Sequence, residues 1–167
     1  DKALFLEMGV SPYQAPDTPT TVSVSFEAGV PVAVDGEKMK VSEIFRKLNK
    51  LGGENGVGIL DIVENRLIGM KDHGIYETPG GTILYFAHEQ LEMLTLDKET
   101  AHMKSKLAVD YADLIYNGKW FSPLAEALTA FAKKANENCT GTVKLKLYKG
   151  NMINAGITSP NSLYSEE

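Results

Sequence analysis

Cysteine is almost absent from this sequence: Cys139 stands alone among 167 residues, so no disulfide can form within the chain. With no signal-peptide pattern at its start, the expected compartment is a reducing cytoplasm. Histidine is scarce too. His73, His88 and His102 fall in an expected loop and on expected helices, no two at ligand spacing, and a single cysteine adds little, so no metal site is expected. Basic residues are outnumbered, 17 Lys and Arg against 22 Asp and Glu, and the net charge of −5 argues against nucleic acid or an anionic membrane surface as the main partner. No apolar run approaches the length of a membrane span. No nucleophile with a nearby base stands out. Asn138-Cys139-Thr140 formally matches a glycosylation acceptor, but outside a secretory context it is read as chance. What is present is an ordinary globular composition, 43% hydrophobic and 23% charged, enough for one good core.

Residues 1–20 carry Pro12, Pro16 and Pro19, which deny them regular helix or central strand and predict an irregular arm anchored by Leu4, Phe5 and Leu6. Residues 21–167 are expected to form one α+β domain. Val22, Val24 and Phe26 alternate with serines, Glu27-Ala28-Gly29 turns, and Val30, Val32 and Val34 return, which predicts a hairpin; Pro31 marks an edge or a pairing gap. Ser42 is the expected N-cap of a helix burying Ile44, Phe45, Leu48 and Leu51 and ending at Gly52-Gly53. Gly52, Gly53, Gly56 and Gly58 follow a helix and precede a strand. A phosphate-cradling loop needs the reverse order, so these are turn glycines.

From Val57 to Met70 the chain is β-rich and nearly continuously apolar, the pattern of a buried strand, broken by Asp61 and the trio Glu64, Asn65 and Arg66. Those polar groups need partners, so the trio is placed at a strand end or turn, paired or facing a ligand. A loop is expected over Lys71 to Glu77. Thr78-Pro79 then reads as an N-cap with proline in the first helical turn, and Gly80-Gly81 opens the helix N-terminus to close approach. Ile83, Leu84, Ala87, Leu91 and Leu94 keep helical spacing, with His88, Glu89 and Glu92 mostly outward, His88 and Glu92 as a surface i, i+4 pair.

Further helix is expected from about Asp97 to Asn117, broken near Leu107 and stopped at Asn117-Gly118. Ser122-Pro123 starts another that buries Leu124, Leu128, Phe131 and Ala135. Tyr111, Tyr116, Trp120 and Phe121 are read as core or subunit contact. A closing hairpin places Val143, Leu145 and Leu147 inward, Lys144 and Lys146 outward, turns at Lys149-Gly150-Asn151 and returns over Met152 to Ile157. The fold expected is α+β, with β-hairpins at both ends, a central strand pair and several packed helices. Pattern alone also leaves a bland account of the two best site candidates, in which Glu64 pairs with Arg66 or Lys71 and Tyr76 packs with its hydroxyl at the surface.

The blocks DIVENRLIGMK, GIYETPGGTILY, LIYNGKWFSP, TVKLKLYKGN and SPNSLYSEE together resemble the synthetase domain of argininosuccinate synthase, collinearly from about Gly29 to Glu167. The resemblance implies a ligase that joins citrulline to aspartate, splitting ATP to AMP and pyrophosphate. It assigns citrulline contact to the glutamate of the VENR block and the tyrosine of the GIYETP block, Glu64 and Tyr76, as positioning groups; no catalytic residue is expected in this chain. It further implies that ATP with its Mg binds mainly outside these residues, on an N-terminal nucleotide-binding domain with an SGGLD-type loop that this sequence lacks. The chain would then be part of a longer, tetrameric enzyme and inactive alone. Two departures from the family pattern flank the candidate site: Ile59 where an arginine is usual, and Asp72-His73 in place of Ser-Arg. The competing expectation is a non-catalytic oligomerisation or protein-binding module, which would have no reason to hold Glu64 and Tyr76 together.

Overall fold

The computed structural model of the chain describes residues 6–165. In chain order the elements are β1 (Thr20–Glu27), β2 (Val30–Val34), β3 (Glu37–Lys38), α1 (Val41–Glu54), β4 (Ile59–Asn65) and β5 (Lys71–Glu77). They continue as α2 (Pro79–Thr95), α3 (Lys98–Tyr116), α4 (Pro123–Ala135), β6 (Gly141–Tyr148) and β7 (Asn151–Thr158). The expected α+β class is borne out, with hairpins towards both ends and a strand pair between.

The two outer hairpins join into a five-stranded sheet of order β3-β2-β1-β6-β7, because β1 pairs antiparallel with β6 in the register Val22 to Leu145 and Val24 to Val143. That register places Val22, Val24, Phe26, Val143, Leu145 and Leu147 on one face, all buried. The opposite face carries Ser23, Ser25, Lys144 and Lys146. Ile44 and Leu48 of α1 and Ile83, Ala87 and Leu91 of α2 close over the apolar face, forming one core. Asn55 is 1% exposed: its side-chain amide donates to Leu51 O and contacts the Thr20 hydroxyl, and its backbone carbonyl accepts from Gly150 N, so its polar groups are satisfied on burial.

Several local expectations change. The N-cap of α1 is Lys40, not Ser42; Lys40 N donates to the Glu43 carboxylate, which covers the first turn. The helix does not stop at Gly52-Gly53 but runs through them to Glu54. A side chain at Gly52 would meet Pro79 and Ile83, and one at Gly53 would lie 2.2 Å from the Met8 carbonyl oxygen. The glycines are there for close approach to α2 and to the arm. No break occurs near Leu107: α3 is continuous. It buries no residue and leaves Met103, Val109 and Tyr116 largely exposed. In α4 the buried residues are Ala125 and Leu128, while Leu124 faces outward.

Val57 to Met70 is not one buried strand, and Lys71 to Glu77 is not a loop. The two segments form an antiparallel ribbon, β4 with β5, that stands apart from the main sheet. No second sheet covers it, so Val63, Leu67, Ile68 and Met70 are exposed despite their apolarity. Its base is fixed where Thr78 N donates to Gly58 O, and Gly58, at φ +85°, lies so near Pro79 that a Cβ would be 2.5 Å from its Cα.

Residues 6–19 contain no helix or strand. Of the expected anchors, Leu4 and Phe5 lie outside the described residues and Leu6 is half-buried. A different contact holds this segment. The Glu77 carboxylate accepts from the backbone N–H groups of Glu7, Met8 and Gly9, a charge-assisted set of bonds at 2.6 to 3.1 Å. Val10 N donates to Gly53 O, and Lys149 reaches Ala15 O and Asp17 from the far hairpin.

Gly53→Ala should lower stability by about 1–3 kcal/mol through overpacking against Met8, although alanine is the better helix former. Urea denaturation reads this as a lower midpoint; an unchanged or higher midpoint would show that the arm yields freely.

Candidate functional site

Glu64 is the penultimate residue of β4 and Tyr76 the penultimate residue of β5. In the ribbon register Glu64 is opposite Asp72, Ile62 opposite Gly74, and Leu60 opposite Tyr76, so all six share one face. Tyr76 leans back over Gly74, and its hydroxyl donates to Glu64 Oε1. Arg66 completes the group: its Nη2 is 3.0 Å from Asp72, and its Nη1 is 4.0 Å from Glu64. The two residues singled out in the sequence are thus brought into direct contact. The partner expected of Glu64 in the bland account, Arg66, is also present, but Asp72 holds it more closely.

Hydrogen bonding to Glu64 raises the Tyr76 phenol above its ordinary value, with slight desolvation and the Glu64 charge acting the same way and Arg66 opposing. Tyr76 is therefore a neutral donor at physiological pH, and Glu64 accepts. The cluster of Glu64, Asp72 and Arg66 carries one net negative charge, beside an apolar ring that is 40% exposed. Such a surface suits a polar ligand that presents a cation and an aliphatic stem. It is open, and a ligand held there needs a second wall.

The opposite face of the ribbon has its own pair, His73 Nε2 at 2.5 Å from Asp61 Oδ1. Asp61, His73 and the arm-holding Glu77 were not paired by sequence reasoning. Strand alternation would have put Asp61 and His73 on one face, had Lys71 to Glu77 been read as a strand.

A second polar cluster borders a cleft of about 760 Å³ between α1, α2 and α3, lined in part by Phe45, Leu84, His88, Glu92 and Lys104. Neither Glu64 nor Tyr76 lines it. His88 and Glu92 do not face outward as expected: they are mostly buried, with His88 edge-on to Phe26 at 5.5 Å between ring centres. Glu92 Oε1 lies 3.1 Å from His88 Nδ1 and 2.6 Å from Lys104 Nζ, which ties α3 to α2. Burial opposes charge on His88, but hydrogen bonds to the Cys139 sulfur and to Glu92 outweigh it and lift the imidazole to about 9. Burial likewise opposes the Glu92 charge, and His88 and Lys104 outweigh it and lower the carboxyl. These contacts are structural: they stitch a surface helix to the core. The sequence offered only the i, i+4 spacing as a signal.

No group of three or more His, Cys, Asp or Glu that could hold a metal ion occurs among the described residues, and none of the helices there is long and apolar enough to cross a membrane.

A family model described as arginosuccinate synthase C-terminal domain matches residues 3–167. The argininosuccinate synthase of Desulforamulus reducens is 58% identical over 163 residues, covering 98% of this chain and 41% of that protein. That of Clostridium botulinum strain Eklund 17B is 59% identical over 163 residues, 98% of this chain and 40% of the relative. That of Moorella thermoacetica is 60% identical over 156 residues, 93% and 38%. The chain spans about two fifths of the length of the curated relatives it matches.

The His88 imidazole sets a pH dependence. Its folded value, about 9, lies above the unfolded 6.5, so the stability it contributes is complete below 6.5 and is lost as pH rises to about 9. Glu92, lowered on folding, loses its contribution only as pH falls through and below the unfolded 4.5. Urea midpoints measured at several pH values should decline from the first limit to the second more steeply for the native protein than for a His88→Gln variant. Parallel profiles would contradict the assignment.

Proposed function

The chain belongs to the arginosuccinate synthase C-terminal domain family, and on that premise we propose that it is the citrulline-binding and subunit-contact part of a citrulline–aspartate ligase. The reaction proposed for the whole protein takes ATP, citrulline and aspartate to argininosuccinate, AMP and pyrophosphate, in arginine biosynthesis. The observation that carries the reading is the contact of Tyr76 with Glu64 on an open ribbon face. Two residues twelve positions apart, each assigned to citrulline by the family resemblance, meet at one point with a net negative charge around them.

In the proposed mode the Glu64 carboxylate holds the α-ammonium of citrulline by a charge-assisted hydrogen bond, and the Tyr76 ring packs along the aliphatic stem. Arg66 is held more closely by Asp72, at 3.0 Å, than by Glu64 Oε1, at 4.0 Å, which keeps the second Glu64 oxygen for the ligand. Neither residue transfers a proton to the reacting atoms. Their contribution is to fix the substrate so that its ureido oxygen meets the activated phosphorus and, afterwards, the aspartate amine. ATP with its Mg, aspartate and the facing wall of the site are assigned to the part of the protein that lies outside this chain.

Self-association is proposed for the same reason of incomplete cover: α3 buries none of its residues, Tyr116 at its end is exposed, and Trp120 and Phe121 stand exposed just after it. A subunit in a homo-oligomer, a tetramer by the family resemblance, would cover that surface. Residues 1–20 as an arm and 21–167 as one synthetase-type domain remain the proposed division, with the cytoplasm as the setting.

Glu64→Gln in the full-length protein should raise the citrulline KM by roughly 10- to 100-fold, the worth of a hydrogen bond to a charged group, while the ATP KM stays within a few-fold. Steady-state pyrophosphate release measures both. An unchanged citrulline KM would sink the assignment and favour the non-catalytic module.

A further inference from the structure

The contact between Tyr76 and Glu64 is not one that neighbouring strand positions would make. Tyr76 is opposite Leu60, and Glu64 lies four residues further along the facing strand, an axial offset of about 13 Å at about 3.3 Å per residue. Side chains standing upright from the sheet at those positions would miss each other. Both must lean along the ribbon, and the line between them crosses the pair in the middle, Ile62 and Gly74.

Gly74 is where that crossing occurs. A Cβ built there would lie 2.8 Å from Tyr76 Cε2, 3.1 Å from Cζ and 3.2 Å from the hydroxyl oxygen. These are closer than ordinary side-chain contacts, so even a methyl group would lift the ring off the ribbon. Gly74 is not among the glycines with positive φ, so an alanine is compatible with the backbone, and its nearest conflicts are all with the phenol.

We infer that Gly74 is a positioning residue for the citrulline site: by presenting no side chain it lets the Tyr76 ring lie along β5 and deliver its hydroxyl to Glu64. This rests on the reading of Glu64 and Tyr76 as citrulline contacts. It adds that the spacing between the two contacts is set by a third residue that touches no substrate. With the ring lying flat, its exposed side forms a shelf beside the carboxylate, sized for a short aliphatic stem that ends in an ammonium. With the ring raised, shelf and carboxylate separate.

The test uses the full-length protein with Gly74→Ala, Tyr76→Ala, the double variant and Glu64→Gln. Gly74→Ala should weaken citrulline binding by roughly tenfold, the scale of one hydrogen bond to a charged group, and leave ATP binding and the thermal midpoint nearly unchanged. In the Tyr76→Ala background the same change should have no further effect, because it acts through the ring. Equal losses in both backgrounds, or no loss in the native background while Tyr76→Ala weakens binding, would overturn the inference. A second readout needs no citrulline: the Tyr76 phenol, followed by NMR of isotope-labelled tyrosine, should titrate at lower pH in Gly74→Ala than in the native protein. If Glu64→Gln and Tyr76→Ala leave citrulline affinity untouched, the substrate assignment fails. The phenol titration then decides the geometry alone, and an unmoved titration would refute the role of Gly74.

Discussion

Pairing of β1 with β6 is the contact on which the remaining structure depends. It sets Thr20 against Leu147 and Phe26 against Gly141, so residues near the two ends of the domain share a ladder before anything between them has a place to pack. Once the ladder exists, the apolar faces of both outer hairpins coincide and form the floor on which α1 and α2 lie. Closing so long a loop is entropically costly and slow, and it is offset only when that shared face is covered. The ribbon, α3 and α4 are then excursions from a finished centre, which explains why they are exposed.

This ordering also divides what could be read in the sequence from what could not. The closing hairpin was legible because Val143, Leu145 and Leu147 alternate strictly with Thr142, Lys144 and Lys146, and a half-buried sheet demands that alternation. The starts of α2 and α4 were legible because Pro79 and Pro123 stand at the first helical position, where a missing N–H costs nothing; Ser122 also caps α4 with its side chain, while Thr78 makes no such bond. By contrast β5, with the sequence KDHGIYE, has a glycine and mostly polar residues and gains strand geometry only from β4 beside it. The passage of α1 through Gly52-Gly53 was hidden for a related reason: the glycines answer to Pro79 and Met8, which are far away in sequence.

The candidate site was legible in its residues and illegible in its geometry. Glu64 and Tyr76 were identified through the family blocks, and nothing in their spacing announced that they would touch. The burial of His88 was missed because its surroundings, Phe26 and Cys139, come from strands and loops at opposite ends of the chain. A helical wheel reports only neighbours on the same helix, and there His88 and Glu92 look like any solvated pair.

The ribbon touches the rest of the molecule mainly at its base, where Gly58 meets Thr78 and Pro79, and at Asn65, whose carbonyl accepts from Tyr116. Apart from Glu77, which holds the arm, charged side chains here pair within the ribbon: Asp72 with Arg66 and His73 with Asp61. Asp72 and His73 are also the adjacent residues expected from the sequence to depart from the family pattern. Seen as a matter of descent, the ribbon is a segment in which one substitution can be answered by another a strand away, leaving the five-stranded sheet and its helices out of the exchange. Change could accumulate around Glu64 and Tyr76 while the core stayed still.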